Sequence, residues 1–356
     1  MPAYTKSLLL CPERYSLFNS FTEVLKDISG EVIGLDVRTK MTVRDLKINT
    51  QMFRLPFKLR AKWENYFLNK ANKIIIENFE KHNPDFVFVY NSEFLLPETC
   101  ELIRRKAKLI FFLGDSPFYT PTNNYYLSLL KHGDLILSPD SFWMEQLNMT
   151  GIMNTCFFVP SPDHGSYFKL DNSAIEKGIH ETDILYVGNS YLDSWGYKKA
   201  LLMNNFVNFN FELYGSSGWK RWFKYFPDLE KKYTLCDHIE TGKLNKMFNK
   251  AKIIPVDGNP GIINGIHARV FEALSAGSLP LIEYRKDVDN IVFNGFGSEL
   301  PFIHNYSKAK DVADYYLTND SERTDLQRKM KDFICNKYST KNNAGLILNR
   351  LNDLKK

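Results

Sequence analysis

No run in this 356-residue chain approaches the ~18 consecutive apolar residues that a membrane-spanning helix needs. The opening residues, M-P-A-Y-T-K-S-L-L-L-C-P-E-R, hold an apolar run of only three leucines, which reads as a strand and not as a secretory leader. Cysteine is scarce. Cys11, Cys100, Cys156, Cys236 and Cys335 form no C-x-x-C pair, so neither a zinc site nor a disulfide framework is indicated. Their odd number and mostly apolar neighbours fit reduced core residues of a cytoplasmic protein. In that compartment the sequons Asn148-Met-Thr150 and Asn305-Tyr-Ser307 carry no meaning. A strong charge imbalance is missing too: 46 Lys and Arg face 41 Asp and Glu, a formal net charge of +5. That is not the footprint of a dedicated nucleic-acid binder, though it suits anionic substrates and contact with an acidic membrane surface. His132, His164, His238 and His304 show no pairing pattern, which points to surface or core roles, and no metal is expected.

What is present is the composition of a globular protein, 44% hydrophobic and 24% charged, with aromatics high at 14%. The length predicts two domains. Ser7–Cys11 reads as a strand, residues 16–28 as a helix with Phe18, Phe21, Val24 and Leu25 at helical spacing, and Val32–Asp36 as a second strand. Residues 52–80 look helical, and Phe86–Tyr90, F-V-F-V-Y, has the unbroken apolar character of a buried parallel strand. Strands at Leu109–Leu113, Leu135–Ser138 and Cys156–Val159 alternate with helices at 97–106, 122–132 and 141–150. Residues 160–181, rich in Pro, Ser, Asp and Gly, read as the segment between domains.

The rhythm then restarts. Strands are expected at Asp183–Val187, Phe211–Tyr214, Ile253–Val256, Leu279–Ile282 and near Leu300–Ile303. Helices are expected at 195–205, 244–250, 265–276, 307–318, 321–337 and 341–354, with 219–233 a short helix or loop. The expected organisation is an N-terminal domain over 1–165, a second over 166–340, and a C-terminal helix, 341–356, that can cross back to the first. Both domains read as α/β, doubly wound and Rossmann-like.

Candidate ligand residues cluster in the second half. Gly188-Asn189-Ser190 lies between a strand and a helix, where a residue without Cβ lets a phosphate approach backbone donors. Gly215-Ser216-Ser217-Gly218 repeats the arrangement after Tyr214. Asn264, His267, Arg269 and Glu272 fall in one segment, G-I-I-N-G-I-H-A-R-V-F-E-A-L-S-A-G. An Arg at a helix start suits a diphosphate, and a carboxylate can accept both hydroxyls of a ribose. The same Arg269–Glu272 spacing equally fits an ordinary i,i+3 ion pair.

In the first half, Asp115 follows a buried strand in the loop Gly114-Asp115-Ser116-Pro117. It fits a general base or an acceptor-orienting group, and equally an Asx turn. Glu93 and Arg14 occupy similar but weaker positions. Two stretches interleave cations with rings: R-L-P-F-K-L-R-A-K-W, from Arg54, and W-K-R-W-F-K-Y, from Trp219. Each fits a membrane-surface or ligand-stacking patch, and each also fits a packed helix with solvated lysines.

R-V-F-E-A-L-S-A-G-S-L-P-L-I-E resembles the donor-binding helix of group-1 glycosyltransferases of GT-B fold, and is similar above all to the spore-maturation CgeB-like branch. The resemblance continues through N-P-D-F-V-F-V-Y, L-I-F-F-L-G-D-S-P, D-L-I-L-S-P-D-S, D-I-L-Y-V-G-N-S, E-L-Y-G and D-V-A-D-Y-Y-L-T-N-D-S-E-R, in that order. It implies two Rossmann-like domains facing across a cleft, with acceptor on the first and nucleotide-sugar donor on the second. Glu272 then corresponds to the ribose-binding carboxylate, Arg269 and Gly188-Asn189 to the diphosphate site, and Tyr214-Gly215 to the surroundings of the base. No metal is implied as cofactor. The family's Glu-x7-Glu pattern is broken, because the first position is Asn264, which supplies no negative charge.

The expected function is transfer of a sugar from a nucleoside diphosphate to a hydroxyl of a cell-surface glycan, glycolipid or protein-linked glycan, with retention. Two alternatives remain: transfer to modified bases of DNA, and a non-catalytic nucleotide-sugar or glycan-binding protein on the same fold.

Overall fold

The structure is a computed structural model describing residues 2–52, 54–92, 94–118, 125–171, 181–258 and 261–353. It divides into two compact units, residues 1–161 with 338–356, and residues 162–337.

The first unit is built on six parallel strands: β1 (Tyr4–Leu10), β2 (Ser29–Leu35), β3 (Phe86–Tyr90), β4 (Lys108–Phe112), β5 (Leu135–Ser138) and β6 (Thr155–Phe157). Their order is β2-β1-β3-β4-β5-β6. Every residue of β3 is buried, because helices cover both faces of a parallel sheet. On one face the helix Ser16–Lys26 drives Phe21 between Phe88 and Phe112, with ring centroids 4.9 Å apart in both pairs. The last helix, Thr340–Asp353, adds Ala344, Ile347 and Leu351 to the same core.

The helix expected over 52–80 is Phe57–His82, and a separate helix that was not expected, Val43–Met52, ends where that stretch begins. Pro56 explains the break between them: it has no amide hydrogen to donate and disfavours helical backbone in the residue before it. Asn83, left-handed at φ 46°, ends the second helix with its N–H on the Phe79 carbonyl.

The second unit has β7 (Thr182–Val187), β8 (Phe211–Gly215), β9 (Tyr233–Leu235), β10 (Ala251–Val256), β11 (Leu279–Glu283) and β12 (Phe302–Ile303). All neighbours are parallel, in the order β12-β11-β10-β7-β8-β9. The chain leaves β7 toward β8 and β9, then returns to its other side as β10. Strand order therefore reverses between β7 and β10, and a crevice opens at their carboxyl ends. Strand β9 begins at the last residue of the stretch 219–233, read as helix or loop, and was not expected. It has three residues, two of them exposed, so it carries no apolar pattern.

Candidate active site

At the β7/β10 switch point lies a cavity of ≈ 290 Å³, lined by Gly188 and Asn189 after β7, Asp257 after β10, and Lys199, His267 and Arg269. The glycine loop is held rigidly. Trp219 donates from Nε1 to the Gly188 carbonyl at 2.8 Å, and Trp222 donates to Ser190 Oγ and the Tyr191 carbonyl, both at 3.0 Å. Asn189 Oδ1 accepts from the Ser216 amide at 3.2 Å. A Cβ on Gly215 would stand 2.3 Å from the Gly188 carbonyl oxygen, so that position requires glycine for close approach of the two loops. Trp219 and Trp222 are buried in a 3-10 turn, and their polar atoms serve this loop. The W-K-R-W stretch is thus a packed clasp.

Two polar residues that the sequence reading passed over complete the cavity. Lys199, buried on the helix Ser194–Asn204, donates to the Asn189 carbonyl at 2.9 Å and stands 3.3 Å from Asp257 Oδ2. Asp257 Oδ1 accepts from the Tyr186 hydroxyl at 2.7 Å. The signal available for Asp257 was its place just after an apolar strand. Lys199 had none beyond a Lys-Lys pair on a helix.

The segment expected as a helix over 265–276 is helical only over Arg269–Ala276. Asn264 and His267 therefore precede the helix. No side chain caps Ala268, but His267 Nδ1 accepts the Arg269 amide at 3.0 Å and orders the entry. Burial, and then the Arg269 charge, push the His267 imidazole down to about 4. The ring is neutral at physiological pH. With Nδ1 accepting, its proton belongs on Nε2.

Arg269 donates to the Val187 carbonyl at 2.9 Å and lies over the Phe248 ring at 5.2 Å. Its Nε is 2.9 Å from Glu272 Oε2, so the i,i+3 ion pair is formed. The approach leaves both buried atoms without a well-directed hydrogen bond. Burial raises the Glu272 carboxyl, while Arg269 and the Tyr167 hydroxyl hold it down. Glu272 is not among the residues lining the cavity.

Asn264 contributes its carbonyl to the Asp287 amide at 3.0 Å and likewise lies outside the lining. The loop carrying it is braced from β11: Glu283 accepts the Gly258 amide at 2.9 Å, and Arg285 donates to the Ile262 and Ile263 carbonyls at 3.1 and 2.8 Å.

Tyr214 faces a second cavity, ≈ 600 Å³, with Leu185, Ile239 and Met247. Its hydroxyl donates to Glu212 Oε2 at 3.0 Å. The candidate donor residues therefore divide. Gly188, Asn189, His267 and Arg269 share one cavity, Gly215 buttresses it, Tyr214 lines another, and Asn264 and Glu272 line neither.

In the first unit Asp115 stands at the carboxyl end of β4. Asn91, after β3, donates from Nδ2 to Asp115 Oδ2 at 2.9 Å and accepts the Gly114 and Asp115 amides on Oδ1 at 2.7 and 3.1 Å. Asn91 adopts φ 54°, a conformation that asparagine tolerates better than most residues. Burial raises the Asp115 carboxyl and the Asn91 bond opposes it. Arg14 is exposed and lies over Tyr15, while Glu93 falls outside the described residues. Of the five cysteines, all free, Cys236 and Cys335 are only half-buried, which corrects the expectation of a core role for each. Among the described residues no group of three His, Cys, Asp or Glu side chains is placed to hold a metal ion, and no helix is long and apolar enough to cross a membrane.

Residues 198–349 match a family model described as "Glycosyl transferase-like". No curated protein matches the sequence. Among solved structures, the sucrose-phosphate synthase of Thermosynechococcus elongatus superposes with a TM-score of 0.63 at 10% identity, covering 99% of both chains. HepE of Anabaena, solved with UDP and glucose, gives 0.63 at 11% identity, covering 98% of this chain and 100% of its own. A UDP-forming trehalose-phosphate synthase of Burkholderia xenovorans gives 0.61 at 10% identity over 100% of both. Likeness at such identities speaks for architecture alone, and the architecture is plain: two six-stranded parallel sheets in two units, the GT-B fold.

Proposed function

We propose that this chain is a glycosyltransferase that takes a sugar from a nucleoside-diphosphate donor bound to the second unit and passes it to a hydroxyl acceptor held by the first. One observation carries the reading: two cations, Lys199 and Arg269, face one cavity with the glycine loop at the switch point between β7 and β10. Such crevices receive phosphate-bearing ligands, and fixed donors there stabilise the negative charge that develops on a departing diphosphate. Lys199 and Arg269 neutralise that charge without a metal ion. The neutral His267 offers Nε2–H as a further donor. Glu272 exchanges its partner Arg269 for the ribose hydroxyls, Asn264 meets the sugar, and Tyr214 lies toward the base. Asp115, oriented by Asn91, accepts or steers the acceptor hydroxyl proton. The acceptor class is a glycan, lipid-linked or protein-linked hydroxyl, and the outcome is retention. HepE and the trehalose-phosphate synthase are described with UDP, which makes UDP and UDP-glucose the first ligands to try.

A thermal-shift panel of nucleotides and nucleotide sugars tests the donor site, since a ligand that binds only the native state raises its apparent stability. At least one nucleotide should raise the midpoint of the wild type. Lys199→Ala and Arg269→Ala should each weaken its binding roughly 10- to 150-fold, the worth of a charged hydrogen bond of about 1.5–3 kcal/mol. If no nucleotide shifts the wild type, or both variants respond as it does, the site is misassigned. Product analysis with UDP-glucose then reads the chemistry: a released UDP and a glycosylated acceptor or free glucose support transfer.

A further inference from the structure

The rise of the helix Phe57–His82 sets up a second surface. Its 26 residues span ~39 Å, whereas the five residues of β3, into which it leads, span ~17 Å. The helix ends four residues before β3, at the amino edge of the sheet, so its first turns run past the carboxyl edge. Burial agrees: no residue of this helix before Phe67 is buried. The overhanging turns are braced by the helix Val43–Met52, where Asn49 Oδ1 accepts from Trp63 Nε1 at 3.2 Å.

What this overhang presents is unusual for solvent. Phe57 is 74% exposed, Leu59 55%, Leu55 40% and Val43 67%. Around them Arg44, Lys47, Arg54, Lys58 and Lys62 are exposed. The only acid from Val43 through Trp63 is Asp45, which is buried and paired with Lys70 at 2.6 Å. Lys58, Leu59, Lys62 and Tyr66 share one helix face, and Leu55-Pro56-Phe57 forms the tip.

We propose that this overhang docks the protein on an anionic lipid surface. Apolar residues at a protruding tip enter the headgroup layer, while a one-sign ring of lysines and arginines meets its negative potential. The charge complementarity selects a lipid surface over a second copy of the chain, which would set like charges against each other. The reading stands apart from the donor site, and its failure leaves the proposed transferase untouched.

Vesicle co-sedimentation of the full chain tests it. With vesicles of phosphatidylcholine containing about a third phosphatidylglycerol, the protein should pellet with the lipid and be released as salt rises. With pure phosphatidylcholine it should stay in solution. Lys58→Glu with Lys62→Glu should weaken binding at least tenfold, and Phe57→Ser with Leu59→Ser should do likewise, both with an unchanged thermal midpoint. Equal partition onto both vesicle types, or binding by both double variants like the wild type, overturns the proposal. So does a wild-type dimer by light scattering that the Phe57/Leu59 variant converts to monomer, because a second copy then covers the patch.

Discussion

The sharpest residue-level expectation concerns His267. Its imidazole titrates at about 4 in the folded chain against an ordinary value near 6.5. Between these pH values the unfolded chain binds a proton that the native protein refuses, so this residue makes stability rise with pH through that window and is a loss below it. His267→Asn, which keeps an acceptor for the Arg269 amide, should flatten that rise. Urea denaturation of both proteins at pH 5 and pH 7.5 measures the difference. A wild-type imidazole that titrates near 6.5 by NMR would remove the basis. Of this site, the sequence spelled out the residues that stand next to a pattern: Gly188 and Asn189 after an apolar strand, and Arg269 in a stretch of familiar composition. Asp257 and Lys199 were not legible as a pair because 58 positions separate them, and only the fold brings Lys199 Nζ to 3.3 Å from Asp257. Nor did spacing decide between ligand and ion pair for Arg269 and Glu272.

Elements show what pattern reading can and cannot deliver. Strand β3 is apolar from end to end, β4 is so after Lys108 and β5 up to Ser138, and all three were readable directly. Strand β9 was not, since two of its three residues are exposed and its pairing with β8 is a tertiary matter. The start of the long helix at Phe57 was readable in principle, because Pro56 disfavours helical backbone in the residue before it. The 3-10 turn Ser217–Trp222 is the clearest case of a bland reading prevailing: its tryptophans act through the N–H groups of buried rings and not as an exposed stacking surface. Trp219→Phe keeps most of the apolar volume but strands the Gly188 carbonyl. It should cost about 1–3 kcal/mol, the penalty for a buried polar group left unpaired. The same change should loosen the glycine loop and weaken nucleotide binding several-fold. Denaturant titration reads the first effect and calorimetric titration with UDP the second. Undiminished affinity with reduced stability would mean that the clasp does not shape the cavity.

At the scale of the molecule, the final helix supports the first unit. Leu351 and Ile347 are fully buried against Phe21 and Leu25. Leu351→Ala should cost about 2–5 kcal/mol, the usual range for emptying a core leucine site. The loss should fall on one unit. In scanning calorimetry the transition of the first unit should move down, while the transition that a bound nucleotide raises should hold its place. A uniform fall of both transitions would show that the units unfold as one. That two α/β domains follow each other was legible from the repeated strand–helix rhythm. The membership of the last helix was legible only as one option, a crossing back to the first domain, since an amphipathic helix does not say which apolar face it will cover.

That membership has a bearing on how the protein is born. Residues 162–337 are, in chain order, an insertion within the first unit. The insertion can reach its native state as soon as it leaves the ribosome, whereas the unit that begins the chain must wait for the chain's end. At ~5–20 residues per second, roughly 15 to 60 s separate synthesis of the helix Ser16–Lys26 from that of the helix Thr340–Asp353 that covers it. Through that interval Phe21 and Leu25 lack their final cover, so the start of the nascent chain is the part most in need of a chaperone.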